Sequence, residues 1–245
     1  MILKNKNVLI TGAGKGIGFS TLKEAISEGA FVFAVVRSRK DTKKFKGIKN
    51  LKIFYGDVSN KKLISKIFKY SIKINKTING LVNNAGIRQR KKFNLLKDSE
   101  IKNIFKINFF SIFEIMQTFS KILIKKKISG SIVNIGSIVG QIGFNELAGY
   151  ASTKLALTGL TKSFATEMAN KKIRANIVSP GFTKTSFFKK FKKKKKLYNW
   201  TLSRIPMKRW SDPEEISSLI CFLLSDKSSY ITGENINIDG GWSNS

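Results

Sequence analysis

Apolar residues along this chain gather in short β-rich runs separated by stretches with helical spacing. The runs are NVLIT (7–11), FVFAVV (31–36), LKIFYGDVS (51–59), TINGLVNNAG (77–86), SGSIVNIGS (129–137) and KIRANIVSPG (172–181). Helical patterns lie between them: FSTLKEAISEG, with Gly29 as its C-cap, then 60–74, 98–126 and 149–169. Strands alternating with helices predict an α/β fold, a doubly wound parallel sheet of about seven strands with helices on both faces. Residues 182–210 (including FTKTSFFKKFKKKKKLYNW) break the rhythm and read as a lid inserted over a substrate crevice. SDPEEI (211–216) then starts a helix, with Asp212 as N-cap, Pro213 at the first position and Glu215 three after the cap. ENINIDGGW closes the chain as an alternating edge strand and a turn. The whole, 1–245, reads as one dinucleotide-binding domain.

The first strand runs straight into TGAGKGIG (Thr11–Gly18) and then a helix. Glycines let a backbone approach a pyrophosphate closely, and a helix N-terminus favours its negative charge. Gly12, Gly16 and Gly18 make G-x-x-x-G-x-G, with Gly14, Lys15 and Ile17 between them. An NAD site places an acid at the end of the second strand, on the ribose 2′-hydroxyl. Here Val36 is followed by Arg37, which suits a 2′-phosphate, and Lys15 adds charge. The expected cofactor is NADPH, with NADH less favoured. Asp57 has two readings, an acceptor for the adenine amino group or the N-cap of the 60–74 helix. Asn83, Asn84 and Gly86 are turn-formers at the end of a central strand, where they would line the cofactor crevice. A nicotinamide could stack at Pro180-Gly181.

SIVGQIGFNELAGYASTK (137–154) carries the candidate chemistry. Tyr150 and Lys154 are one helical turn apart and share a face. A phenol with a pKa near ~10 is a poor acid–base group at neutral pH. A nearby ammonium is expected to bring it down. Ser137 would hold a carbonyl or alcohol oxygen against the phenol. The apolar stripe of 98–126 (Ile101, Ile104, Phe105, Phe109, Ile112, Phe113, Ile115, Met116, Phe119, Ile122, Leu123) reads as core or subunit interface. Asn108 interrupts it, either as a surface residue or as an active-site kink that holds a water.

Composition narrows the options. The 245 residues, 42% of them hydrophobic, suffice for one large core. There is no histidine, so histidine catalysis and histidine metal sites are excluded; with one cysteine, a zinc site is excluded too. Cys221 lies in an apolar run and reads as a small buried hydrophobe; no intrachain disulfide is possible, which suits a reducing compartment. The first strand begins too early for a secretory segment, and no apolar run approaches ~18 residues, so a cytoplasmic protein without a membrane span is expected. The net charge of +31 rests on 46 basic residues, chiefly Lys in a sequence also rich in Asn, Ile and Phe. That joint bias points to compositional drift for most surface lysines. The charge is also compatible with nucleic acid, anionic membrane or an acidic protein.

In order and spacing, Thr11–Gly18, Asp57, Asn83–Gly86, Asn108, Ser137, Tyr150, Lys154 and Pro180-Gly181 resemble the short-chain dehydrogenase/reductases, along the whole chain. Within that family the chain looks most like 3-oxoacyl-[acyl-carrier-protein] reductases and the similar sugar and polyol reductases. The resemblance implies that Tyr150 is the general acid and that Ser137 polarises the carbonyl. It implies that Lys154 lowers the pKa of Tyr150 and binds the nicotinamide ribose, and that Asn108 positions a relay water. Val58 and Ala85 would join the cofactor contacts, and Thr183 and Thr185 would meet the carboxamide and diphosphate. A homotetramer packed through 98–126 and 149–169 is implied, and Lys127 and Lys171 stand where relatives dock an acidic acyl carrier protein. Two other readings remain. Arg88 and Arg90 in NNAGIRQRKKF could bind a carboxylate or phosphate of a small substrate, which favours a sugar, polyol or nucleotide-sugar dehydrogenase. A non-catalytic dinucleotide-binding protein with nucleic-acid or membrane contacts is the third.

Overall fold

The computed structural model describes residues 1–186 and 188–244. The element order is β1 (Asn7–Thr11), α1 (Gly16–Ser27), β2 (Phe31–Val36), β3 (Leu51–Tyr55), α2 (Lys61–Lys73), β4 (Gly80–Asn83), α3 (Asp98–Phe105), α4 (Ser111–Lys126), β5 (Gly130–Ile135), α5 (Val139–Ile142), α6 (Ala148–Met168), β6 (Ile173–Pro180), α7 (Phe188–Lys192), α8 (Lys195–Arg204), α9 (Pro213–Leu224) and β7 (Asn235–Ile238). All neighbouring strands pair in parallel, in the order β3-β2-β1-β4-β5-β6-β7.

Successive strand residues face opposite sides of a sheet, and here both sides are covered. In β1, Val8 and Ile10 join one core with Leu22 and Ala25 of α1 and Ile216 and Ile220 of α9. Leu9 points the other way, into a core with Ile64 and Ile67 of α2, Ile112 and Phe119 of α4, and Leu157 of α6. In β2, Val32 and Ala34 take the first side and Phe33 and Val35 the second. Two-sided burial explains why the runs are continuous.

The strand order reverses between β1 and β4. At such a switch point the connections leave in opposite directions and open a crevice above the carboxyl ends of the strands. The loops after β1 and β4 carry Gly12–Lys15 and Asn84–Gly86 into that crevice.

The 98–126 segment is helical throughout but not uniform: α3 and α4 are joined by a π-type turn, Lys106–Phe110. By length and composition alone it could cross a membrane. Its apolar side, Ile104, Ile112, Ile115, Met116, Phe119 and Leu123, is instead buried in the protein. Phe113 belongs to the stripe but is exposed, as is Phe110.

Several expected strands are shorter than their apolar runs. The third stops at Tyr55 rather than 59, because Gly56 turns with φ +151°. The fourth is only Gly80–Asn83, and the fifth ends at Ile135, two residues before Ser137. Within 182–210 lie two helices, α7 and α8. Phe191, Ile205 and Trp210 are buried there against Ile138 and Trp242, with Trp210 Nε1 donating to Thr201 Oγ1 at 2.8 Å. At α9 the expected capping box forms between Asp212 and Glu215.

Candidate active site

Two cavities meet above the sheet, sharing Ile17 and Thr185 as walls. The larger, about 490 Å³, lies over the ends of β1–β4. Its lining includes Gly12, Gly14, Lys15, Gly16, Arg37, Asp57, Val58, Asn84, Ala85 and Gly86. Helix α1 points its N-terminus here with no side-chain cap and no acid in its first turn. Backbone N–H groups left open at a helix start are suited to an anion. The cradle is also tight: a Cβ at Gly12 would come within 2.9 Å of both Ala85 Cα and Asn84 Nδ2. Gly12 and Gly16 hold φ +65° and +54°, a region that favours glycine. The lining therefore fits a dinucleotide.

Not every expected residue reaches the cavity. Thr11 is buried; its Oγ1 accepts from Asn84 N and Ala85 N, each at 3.0 Å, and donates to Val82 O. It ties the loops after β1 and β4 together. Gly18 allows close packing, since a Cβ there would lie 2.4 Å from Asn84 Nδ2 and 2.5 Å from Gly12 O. Asp57 does not cap α2. Asn60 does, accepting from Lys62 N and Leu63 N, while Asp57 accepts from Ser59 N and Oγ and lines the cavity. The Ser59 backbone hydrogen bond first, and the charge of Arg37 further down, hold the Asp57 carboxyl below its usual range.

The second cavity, about 220 Å³, is lined by Ser137 and Tyr150 on one side and Pro180, Gly181 and Thr183 on another. The Ser137 hydroxyl, which accepts from Val139 N at 3.2 Å, faces the Tyr150 phenol closely enough to favour its ionised form. Lys154 sits below, buried, its Nζ donating to Ile135 O at 2.6 Å and lying 5.7 Å from the Tyr150 ring centre. Burial pulls its pKa down to about 8. The phenol behaves differently from the expectation of an ammonium-lowered pKa. Burial raises it, and the Ser137 hydrogen bond and the charge of Arg88 only oppose that rise. With its ammonium turned onto a carbonyl oxygen, Lys154 does not offset the desolvation of the phenol.

Asn108 is fully buried in the π-type turn, not on the surface. Its Oδ1 accepts from Ile87 N at 2.9 Å, and its Nδ2 donates to Ile87 O at 2.9 Å and to Thr153 Oγ1 at 3.2 Å. A Cβ at Gly86 would lie 3.2 Å from Asn108 Oδ1 and 3.9 Å from Lys154 Nζ, so Asn108 and Lys154 approach the same glycine. Sequence reasoning missed Ser38, Gly56 and Ser186 in the larger cavity and Phe144 and Phe182 in the smaller. Gly56 alone carried a signal, a glycine at a strand end.

The comparisons agree with this geometry. The family model described as Enoyl-(Acyl carrier protein) reductase matches residues 12–243. The chain belongs to the short-chain dehydrogenase/reductase family and is an oxidoreductase acting on CH–OH or C=O groups with NAD(P). Within the family it is most like the 3-oxoacyl-[acyl-carrier-protein] reductases. That of Thermotoga maritima is 36% identical over 246 residues, covering 98% of this chain and 99% of the relative. Among solved structures, 4-hydroxyisoleucine dehydrogenase complexed with NADH superposes with TM-score 0.92 at 32% identity, covering 98% of this chain and 99% of that one. An Agrobacterium tumefaciens structure assigned to 2-deoxy-d-gluconate 3-dehydrogenase, with bound NADP, gives TM-score 0.92 at 28% identity, covering 99% and 98%.

Proposed function

We propose that the protein reduces the ketone of a 3-oxoacyl group to the alcohol with NADPH, the acyl chain being carried on an acidic acyl carrier protein. The observation that carries this is the convergence of Ser137 and Tyr150 on the smaller cavity, with Lys154 buried beneath them. The reduced nicotinamide, when bound, supplies the hydrogen and electron pair that the carbonyl carbon receives. Gly12, Gly14, Gly16 and the start of α1 would hold the diphosphate, Asp57 and Val58 the adenine side, and Pro180, Gly181, Thr183 and Thr185 the nicotinamide side. Arg37 and Lys15, with no acid at the end of β2, favour the 2′-phosphate.

Ser137 and Tyr150 donate to the ketone oxygen as negative charge develops on it. The raised pKa of Tyr150 keeps the phenol protonated before reaction, the state a general acid needs. Lys154, whose Nζ lies 5.7 Å from the Tyr150 ring centre, would hold the nicotinamide ribose. Asn108 fixes the loop after β4 through both backbone groups of Ile87, and so sets the floor of the site.

Residues 182–210 act as the lid, with Phe188 and Phe191 of α7 and Tyr198 of α8 packed on Trp210. Exposed Lys127, Lys171, Lys189 and Lys192 favour docking of an acidic carrier. Exposed Phe110 and Phe113 on the 98–126 segment and exposed Leu155 on α6 support a homotetramer packed through α4 and α6. Likeness to bacterial 3-oxoacyl-[acyl-carrier-protein] reductases supports a cytoplasmic setting.

A second reading, a sugar- or hydroxy-acid dehydrogenase, is favoured by the names of structural neighbours. Steady-state oxidation of NADPH and of NADH with an acetoacetyl thioester tests the first. Clear turnover preferring NADPH is expected; no turnover, or equal turnover with a free sugar ketone, refutes it.

A further inference from the structure

The 182–210 segment carries two surface properties side by side, outside the pocket it covers. One is charge. Residues 181–211 hold no Asp or Glu. Among them Lys189, Lys192, Lys193, Lys194, Lys195 and Lys196 are exposed, at α7 and the start of α8. The acids that border the segment are already engaged, Asp212 with Lys184 at 3.0 Å and Glu215 with Arg209 at 2.7 Å. Among the described residues, no ion pair reaches lysines 192–196. Like charges this close repel one another in water, and an anionic surface relieves that repulsion.

The other property is apolar. Trp200 is 43% exposed and Met207 64%. Trp200 lies one helical turn beyond Lys196, on the same face of α8. Its ring centre is 5.6 Å from that of Trp242, and a Cβ at nearby Gly240 would lie 3.4 Å from Met207 Cβ. Lysines, indole and thioether therefore belong to one stretch of surface. It borders the pocket mouth, since Trp200 also packs 5.9 Å from Phe144, a wall of the smaller cavity.

We propose that this face docks the protein on an anionic lipid bilayer, with the lysines among the headgroups and Trp200 and Met207 at the boundary beneath them. The inference is independent of the substrate and of the reductase reading. A lysine close to an anionic membrane strengthens binding roughly fivefold. Tryptophan favours the headgroup level, where its ring is partly out of water. A basic cluster joined to exposed apolar side chains supplies the two contributions that a peripheral protein needs to stay on a membrane. A nucleic acid or an acidic protein answers the lysines; a bilayer also takes the exposed thioether out of water. Helix α2 gives an internal contrast. Lys62, Lys66, Lys69 and Lys73 form an exposed stripe there, with no large exposed hydrophobic residue on the helix.

The test uses the whole chain and two kinds of vesicle, phosphatidylcholine alone and an equal mixture with phosphatidylglycerol, with binding read by co-sedimentation. The wild type should bind the mixed vesicles and not the neutral ones. Changing Lys193, Lys194, Lys195 and Lys196 together to Gln should weaken binding at least ~50-fold. Changing Lys62, Lys66, Lys69 and Lys73 to Gln removes the same charge from α2 and should weaken it no more than ~5-fold. Equal losses would mean that net charge alone is responsible, and overturn the proposal, as would no binding to either vesicle. Depth is the second readout, and it keeps the lysines intact, so it decides even where the quadruple variant does not fold. Trp210 and Trp242 are only 2% and 3% exposed, so a brominated lipid should quench Trp200 alone. The quenching should vanish in Trp200→Phe. Vesicle binding without that quenching overturns the proposal. Tighter binding of a single-stranded oligonucleotide through the same four lysines assigns the face to nucleic acid and overturns it too.

Discussion

Replacing Lys154 with Met should separate the chemistry of the site from its cost to the fold. Lys154 is 6% exposed, and burial brings its pKa from the ordinary 10.5 to about 8. At about 1.4 kcal/mol per pH unit, that difference corresponds to about 3 kcal/mol against the folded state wherever both forms of the chain carry the proton. Below about pH 8 the penalty is present in full. Between about pH 8 and pH 10.5 the unfolded chain binds more protons than the folded one, so wild-type stability rises with pH. Met keeps the apolar stem and removes the charge, but leaves Ile135 O without its 2.6 Å donor, at a cost of about 1–3 kcal/mol. At neutral pH the variant should therefore be as stable as the wild type or more so by about 1 kcal/mol, while losing turnover. Across pH 8 to 10.5 its relative stability should fall by about 3 kcal/mol. Denaturant unfolding of both cofactor-free proteins at a series of pH values measures this. A stability difference that stays flat across that range would refute the account of Lys154 as a buried, strained cation.

Other expectations concern single contacts. Asn108→Ala leaves both backbone groups of Ile87 without their side-chain partner, and a loss of about 2–4 kcal/mol is expected in denaturant unfolding. Gly18→Ala forces a Cβ against Asn84 Nδ2 and Gly12 O; a loss of about 1–3 kcal/mol and weaker NADPH binding, seen by fluorescence titration, are expected. Arg37→Asp should move the NADPH-to-NADH ratio of kcat/KM toward NADH by at least ~10-fold, as a charge-assisted contact is exchanged for repulsion. Cys221 is 1% exposed and burial pushes its thiol pKa up, so a thiol reagent should modify the native protein far more slowly than the denatured chain.

The sheet could be read from the chain because strands buried on both faces leave unbroken apolar runs, and Gly12–Gly18 advertises its turn by composition. Strand ends were harder. The third and fourth runs overshoot because buried loop residues such as Ile78 are as apolar as strand residues. Asp57 and Asn60 are both good helix caps by type, and only backbone direction assigns the cap to Asn60. The π-type turn around Asn108 leaves no mark on helical periodicity that a single Asn can reveal. Arg90 meets its partner, Glu146, only through the fold, since the two lie 56 residues apart in the chain. The titration of Tyr150 depends on how far burial outweighs neighbouring charge, a balance set by tertiary packing.

The aromatic cluster under α7 and α8 has a practical consequence. The chain has three tryptophans, and Trp200, Trp210 and Trp242 all belong to this one assembly. It reaches the smaller cavity through Phe144 and Phe182. Intrinsic ultraviolet emission from this protein is therefore a local signal. It reports motion of the cap and changes at the pocket mouth, while the sheet below can melt or hold with little direct say in the spectrum.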